Sequence, residues 1–597
     1  MLRTSWFVLL LLLSPAFAQE PETRRDSIIV TGTYAPIPLE ESERQVRTFD
    51  TRALSLVTNT LADFLQLDSS LDLRQRAPNG VQGDLSIRGA GFGQTLVLLD
   101  GLRLNDVQSG HHNLDIPVPL EALTRIEVLK GSGSTLYGSD AVGGVVNLIT
   151  KSPERTEFRV RTALGSFGTN QQRGDLSYAA PKWAQQLTFS RDFSTGFIQN
   201  RDYRNLSLAS RTSLNTAAGQ TSVTLATNDR PFGAEQFYGD YNSWERTRTW
   251  FASARQSLGS KTEAAFAYRR HTDLFVLYRN RPQDFTNRHT VDSYQGAIRR
   301  TEDLGLNTKL FYGAEVYRDA IASNNLGVHD RARSAPYVAL DIRALRRFSF
   351  SVGLRDEIYG AFNHEVSPSF AAGYWLAPAW KLRGSVSRAF RLPTYTDLYY
   401  HDPRNIGSPG LRPERAWSYE GGIDFNAGGR VRAGLTVFQR RERDGIDYVR
   451  ATVDEIWRAT NFQSLRFTGV EANLAVRLAP SHEFEWQYTH LNGAQAALAG
   501  RLSKYAFNYP VHSGVATWQG ALPGGIVTRT RIGVLKRLGR DVYGLWDVYA
   551  AAGQRHRIRP FVQLSNLTNT SYEEISRVAM PGRSILGGVE LLVFRSR

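Results

Sequence analysis

The chain has 597 residues and a formal net charge of +15, with 51 Gly, 25 Tyr, 11 Trp, 2 Met and 0 Cys. The lack of Cys excludes disulfide scaffolds, thiolate metal sites and cysteine nucleophiles together. Arginines scattered singly through alternating segments, rather than clustered, argue against a nucleic-acid partner and suit lumen walls and anionic headgroups. Length admits either several soluble domains or one large β-barrel, and the abundance of glycine and aromatic rings favours the barrel.

In chain order, residues 1–18 read as an export signal. Arg3 supplies charge, Trp6 to Leu13 is almost wholly apolar, and Ala16-Phe17-Ala18 is a small-x-small cleavage site. No later stretch approaches about 18 uninterrupted apolar residues, so no spanning helix is expected. A polar tether, 19–39, follows. Within it Asp26, Ser27, Ile28, Ile29, Val30, Thr31 and Gly32 form a short β-prone run beside charged residues, a strand in search of a partner edge.

Residues 40–153 read as a small α/β unit. Leu54, Val57, Leu61, Phe64 and Leu65 recur at helical spacing, with Asn59 or Thr60 as a cap. Two apolar runs, Leu96–Leu99 and Ile126–Leu129, each end in a glycine turn at Gly101 and Gly131. Gly131, Gly133, Gly138, Gly143 and Gly144 are too dense for a helix and suit a backbone that turns sharply and packs closely. They do not make a phosphate loop, because Ser139-Asp140 stands where Lys and then Ser or Thr are required.

Two polar loops in this unit, Ala77–Asp84 with Asn79 and Gln82, and Asn105–Asp115 with Gln108, His111, His112 and Asn113, are expected to face outward. Adjacent histidines on a strand point to opposite faces, and no third ligand stands at a useful spacing, so no metal site is expected.

From Glu154 to Arg597 apolar and polar residues alternate repeatedly. Val470, Ala472, Leu474, Val476 and Leu478 interleave with Glu471, Asn473, Ala475 and Arg477, and Val431, Ala433, Leu435 and Val437 with Arg430, Arg432, Gly434 and Thr436. Such strands need lipid on one side and water or a polar filling on the other. At roughly twenty residues per strand with its loops, 154–597 accommodates about 22 strands, a bore too wide to leave open. Aromatic stretches with Phe237, Tyr238, Tyr241 and Trp244, and with Tyr399 and Tyr400, fit capture of a flat or macrocyclic ligand and equally fit an interfacial girdle.

Several blocks carry a family likeness: SIRG at Ser86–Gly89, VLLDGLRLND at Val97–Asp106, RIEVLKGSGSTLYGSDAVGGVVNLITK at Arg125–Lys151, FRLPT at Phe390–Thr394, LRPE at Leu411–Glu414, and the closing NLTN at Asn566–Asn569. The chain thereby resembles TonB-dependent outer-membrane receptors, most nearly those of the vitamin B12 receptor type. The resemblance implies an antiparallel transmembrane barrel of about 22 strands with an N-terminal α/β plug domain inside its lumen.

It also implies that Asn79, Gln82, Gln108, His111, His112 and Asn113 contact ligand at the plug apex, and that 26–32 is a TonB box, bound by TonB of the inner-membrane energising complex. The expected function is active import of a scarce ligand, a corrinoid or an iron-siderophore, by a non-enzymatic monomer set in outer-membrane lipid and lipopolysaccharide. No cofactor is required, and the carboxylates Asp240, Glu245, Asp319 and Asp330 are too sparse to support calcium. Import of a carbohydrate or another metal complex, and a passive plugged channel, are the alternatives. One departure stands out: family chains usually end on an aromatic residue, whereas Arg595-Ser596-Arg597 follows Phe594.

Overall fold

The structure, a computed structural model, describes residues 28, 29, 31, 36–150, 152–345, 347–462, 464–494 and 500–596. The expected export signal 1–18 and, within the expected TonB box, Asp26, Ser27, Val30 and Gly32 lie outside the described residues.

The alternation resolves into a closed antiparallel barrel of 22 strands running from Glu157–Gly165 to Ser584–Arg595. On the strand Thr169–Ala179 the side chains of Gln171, Arg173, Asp175 and Ser177 are buried toward the lumen. Leu206, Leu208, Val316, Leu435 and Val437 stand exposed on the outer wall. A polar bore inside an apolar jacket is the arrangement that lipid demands of a sheet. No described helix is long and apolar enough to cross a membrane.

The seam joins the first and last strands, with Phe158 opposite Phe594 and Glu157 opposite Arg595. Arg595 Nε lies 3.0 Å from the Glu157 carboxylate, and Ser596 donates its backbone N–H to the Thr156 carbonyl at 2.8 Å. Arg595 and Ser596 therefore prolong the seam.

The two mouths differ. Short turns, such as those between Thr216 and Gly219 or Gly305 and Thr308, close one end, and long connections spanning 392–413, 444–464 and 566–583 crown the other. In outer-membrane barrels the short turns face the periplasm.

The lumen holds the plug. Its five-stranded sheet runs in the order Val46–Asp50, Leu123–Lys130, Gly144–Thr150, Thr95–Leu99, Leu102–Arg103, with Thr95–Leu99 parallel to Gly144–Thr150. Phe49, Phe64, Leu65, Ile126, Val128 and Leu148 form its core, which continues onto the barrel wall at Ala209, Ala226, Phe251, Ala265 and Ala297. Small lumen-facing alanines let the plug sheet seat close to the wall. The dense glycines serve the same end. Gly144 has φ +159°, and a Cβ there would collide with the Leu129 carbonyl; Gly138 has φ +76°, and a Cβ there would strike Glu357 of the wall.

The helical periodicity over Leu54–Leu65 yields a helix only at Leu61–Leu65, capped by Thr60 with Asp63 completing a capping box. Upstream, Leu56 and Val57 pack against Tyr549, Phe561 and Leu586 of the wall. Successive tight turns, in which Val57 donates its N–H to the Leu54 carbonyl at 3.0 Å, set those apolar positions against the wall without forming a helix.

Ile28–Ile29 pairs antiparallel with Ile37–Pro38. The segment after it lies at the short-turn mouth, where Lys381 Nζ donates to the carbonyls of Glu40 at 3.0 Å and Ser42 at 2.9 Å.

Candidate functional site

Beneath the long loops lies a cavity of about 900 Å³, walled by the plug apex and by loops and strand ends of the barrel. From the plug come Arg74, Arg76, Asp84, Phe92 and Gln108–His112; from the barrel come Gln236–Tyr241, Tyr400, Tyr448 and Tyr505. Its size and mixed aromatic and polar lining are those of a small-molecule site.

The apex is built on two short 3-10 turns. Gly110–His112 turns both histidines inward from a loop, so the strand rule invoked for this pair does not apply. The His111 ring stacks on Phe92 with centroids 4.4 Å apart, and Tyr505 meets Phe92 edge-on at 5.2 Å. His111 Nδ1 is 2.7 Å from Asp84, whose other oxygen accepts from Arg76 at 3.1 Å. Burial opposes ionisation of Asp84, but Arg76 and His111 outweigh it and hold the carboxyl below its usual range.

Loop residues close over this platform. Asp447 accepts the backbone N–H groups of Tyr505 at 3.0 Å and Ala506 at 2.8 Å, fixing the Tyr505 ring above the apex. Arg391, from the FRLPT block, is ion-paired with Glu414 and with Asp397, the latter at 2.9 Å. Among the lining residues nine carboxylates face six Arg and Lys side chains, so the cavity carries an acidic excess.

Below the platform sits a buried ionic layer. Arg230 meets Asp115 at 2.5 Å and Arg269 meets Asp106 at 2.9 Å. His112 lies 3.6 Å from Asp115 and 3.4 Å from Asp273. Burial disfavours charge on His112, yet the hydrogen bonds to Asp115 and Asp273 push its imidazole well above the ordinary value.

Of the residues expected from sequence, Gln108, His111, His112, Phe237, Tyr238, Tyr241 and Tyr400 line the cavity. Gln82 lies just beneath, its amide donating to the Tyr238 hydroxyl at 2.9 Å. Asn79 is turned to the wall, donating to Tyr203 Oη at 2.6 Å. Asn113 is buried in its own loop, where it accepts the Asp106 N–H at 3.0 Å.

Trp244 belongs to the strand Asn242–Leu258, on the face opposite the buried Glu245, so it is a wall residue and not a loop residue. Tyr399 stacks on His329, centroids 3.8 Å apart, outside the cavity lining. Sequence reasoning passed over Phe92, Arg391, Asp447 and Tyr505. Only Arg391 had a signal, its place in the FRLPT block.

At the opposite mouth, Ile28, Ile29 and Thr31 are the described part of the stretch 26–32, expected from sequence to be a TonB box. Thr31 is buried: it donates its backbone N–H to Glu127 at 2.8 Å and accepts from Asn147 Nδ2 at 2.9 Å.

Comparison with known proteins agrees with this architecture. Residues 159–573 match the family described as TonB dependent receptor-like, beta-barrel, and residues 38–145 match the TonB-dependent receptor plug domain. The iron-regulated outer membrane virulence protein of Vibrio cholerae serotype O1 is 25% identical, covering 83% of each chain. The vitamin B12 transporter BtuB of Photobacterium profundum is 23% identical over 68% of each.

In fold alone, the siderophore receptor PirA from Acinetobacter baumannii aligns with TM-score 0.75 at 17% identity, covering 92% of this chain and 98% of its own. The ferric enterobactin receptor PfeA from Pseudomonas aeruginosa aligns with TM-score 0.77 at 15% identity, covering 95% and 100%. A filled barrel of this strand number, with a ligand-sized cavity at one mouth and both parts matched in order, identifies the chain as a member of the TonB-dependent outer-membrane receptors.

Proposed function

We propose that this receptor imports a chelated metal, a corrinoid in the first place and a ferric siderophore in the second, energised through TonB. The observation that carries the reading is the cavity itself, in which the plug apex and barrel loops contribute to one aromatic and acidic chamber. The stacked Phe92 and His111 rings, with Tyr505 edge-on beside them, suit a flat ligand face, and the acidic excess favours a ligand that is neutral or cationic overall. The relatives named for iron regulation and for vitamin B12 transport point to the same two ligand classes.

Because the outer membrane has no energy source of its own, coupling falls to a strand edge that a periplasmic partner can capture. The Ile28–Ile29 pair with Ile37–Pro38 is such an edge. Ligand seated at the apex frees the segment, TonB pairs with it, and force derived from the proton gradient opens the plug.

The test is growth on limiting corrinoid or limiting ferric siderophore in hosts with and without TonB, alongside ligand binding to the purified chain. Deleting 26–32 is expected to abolish uptake and leave binding intact. Uptake that persists without TonB would point to a passive channel, and absence of binding to either class would overturn the ligand assignment.

A further inference from the structure

Three adjacent barrel strands, Asn242–Leu258, Thr262–Val276 and Thr286–Gly305, turn Glu245, Asp273 and His289 into the lumen at the cavity floor. Asp273 and His289 are direct cross-strand partners, and Glu245 lies one lumen-facing step away, since Thr247 pairs with Asp273. His112 rises from the plug to meet them. One ligand atom from each of His112, Glu245 and Asp273 falls within 4.8 Å of the others.

The charge balance singles out this group. Asp115 and Asp106 each have a guanidinium, from Arg230 and Arg269. Among the described ion pairs, Asp273 meets only the His112 imidazole, and Glu245 meets no cation at all. Asp273 accepts from Gln108 at 2.7 Å through one oxygen, and Glu245 accepts from the Tyr238 hydroxyl at 2.5 Å. The second oxygen of Asp273 and the Nδ1 of His289 are buried without a hydrogen-bond partner. Two buried carboxylates with no Arg or Lys, the His112 imidazole that meets Asp273, and the His289 ring with its free Nδ1 form a set that a metal cation would satisfy.

We infer that His112, Asp273 and Glu245 form a site for a divalent transition-metal ion of the zinc class, with His289 as a further ligand, reached through the outer cavity. The donor chemistry chooses the ion class. Imidazole with two carboxylates suits zinc-like ions, whereas calcium takes six to eight oxygens. A tetrahedral ion with bonds of about 2.1 Å sets its ligand atoms about 3.4 Å apart, within reach of side-chain rotation from the observed spacing. The neighbouring group of His112, Asp115 and His271 is less fit, because Arg230 already occupies Asp115. The inference is independent of import, since it concerns binding by the isolated chain.

The test is titration of the purified, chelator-stripped full chain with zinc alone, and with cobalt alone while the visible absorption of tetrahedral Co²⁺ is followed. One ion per chain and a tetrahedral cobalt spectrum are expected. Glu245→Gln and Asp273→Asn, both isosteric, are each expected to weaken zinc binding tenfold or more, and His112→Ala to abolish it; His401→Ala on the outer loops should change nothing. Heat-modifiable migration in electrophoresis shows which variants fold, and the unaltered chain's spectrum stands if none does. Absence of zinc binding at micromolar concentration, binding indifferent to Glu245→Gln and Asp273→Asn, or displacement of zinc by equimolar calcium would each overturn the inference.

Discussion

The backbone N–H of Thr31 donates to the carboxylate of Glu127, 2.8 Å away across 96 residues of chain, and so fastens the stretch proposed as a TonB box to the middle of the plug sheet. Asn147 adds a second bond at 2.9 Å to the Thr31 hydroxyl. The chain has no cysteine of its own, so Ile28→Cys introduces a single reporter thiol. Removing one hydrogen bond worth about 1 kcal/mol raises the released fraction roughly fivefold. Adding Asn147→Ala should therefore speed labelling of that thiol by a periplasmic maleimide about fivefold. An unchanged labelling rate would mean that the bond does not hold the segment.

Plug and wall meet through buried charge. Arg88, from the SIRG block, lies 2.6 Å from Glu471 and 2.5 Å from Glu420, with its guanidinium 4.2 Å from the Phe438 ring centroid. Breaking a buried pair strands the remaining charges and costs about 3 kcal/mol. Arg88→Met should lower the denaturant concentration at which the plug becomes protease-sensitive, and adding Glu471→Gln should restore part of the loss. A plug as resistant as the unaltered one would show that this network contributes no net hold.

Much of this organisation was legible beforehand, and the limits have physical causes. Strand alternation depends on a period of two along one segment, so positions such as Thr436 inward and Leu435 outward could be read locally. Strand number followed from length for a similar reason. The floor of the cavity could not be read, because Glu245, Asp273 and His289 come together only when three strands pair in register and the plug delivers His112 from far away in the chain. Asp447 and Tyr505 were invisible for the same cause: a carboxylate holding a remote loop through backbone N–H groups leaves no local spacing to find. The Leu54–Val57 stretch misled because it is a run of tight turns, Val57 donating its N–H to the Leu54 carbonyl at 3.0 Å, which gives helical spacing without a helix.

Arg595 and Ser596 continue the closing seam, but the pairing from Phe158–Phe594 to Gly165–Leu586 does not include them, so the residues beyond Phe594 should be dispensable. Phe158 and Phe594 remain in register without them, and the buried Glu157 keeps Arg159 and Arg155 as partners, so losing the partly exposed Arg595 should cost about 1 kcal/mol. A chain ending at Phe594 is expected to assemble in the outer membrane to the same level and to unfold at nearly the same temperature. Loss of the heat-modifiable form on this truncation would assign the last three residues a part in barrel closure.

Glu574, on the outer connection 566–583, is buried and accepts the backbone N–H of Gln75 from the plug. Burial pushes its carboxyl up to about 7, against an ordinary value of 4.5. The folded state therefore retains a proton that the unfolded chain gives up between pH 4.5 and 7. The cost of burying the ionised group is absent below pH 4.5, grows through that interval and is complete above about 7, where it reaches roughly 3 kcal/mol. Stability should fall as pH rises from 5 to 7.5, and Glu574→Gln, which keeps an oxygen for the Gln75 N–H but cannot ionise, should flatten that dependence. Thermal unfolding followed across this range decides the matter: parallel curves for the two proteins would show that Glu574 titrates outside the interval.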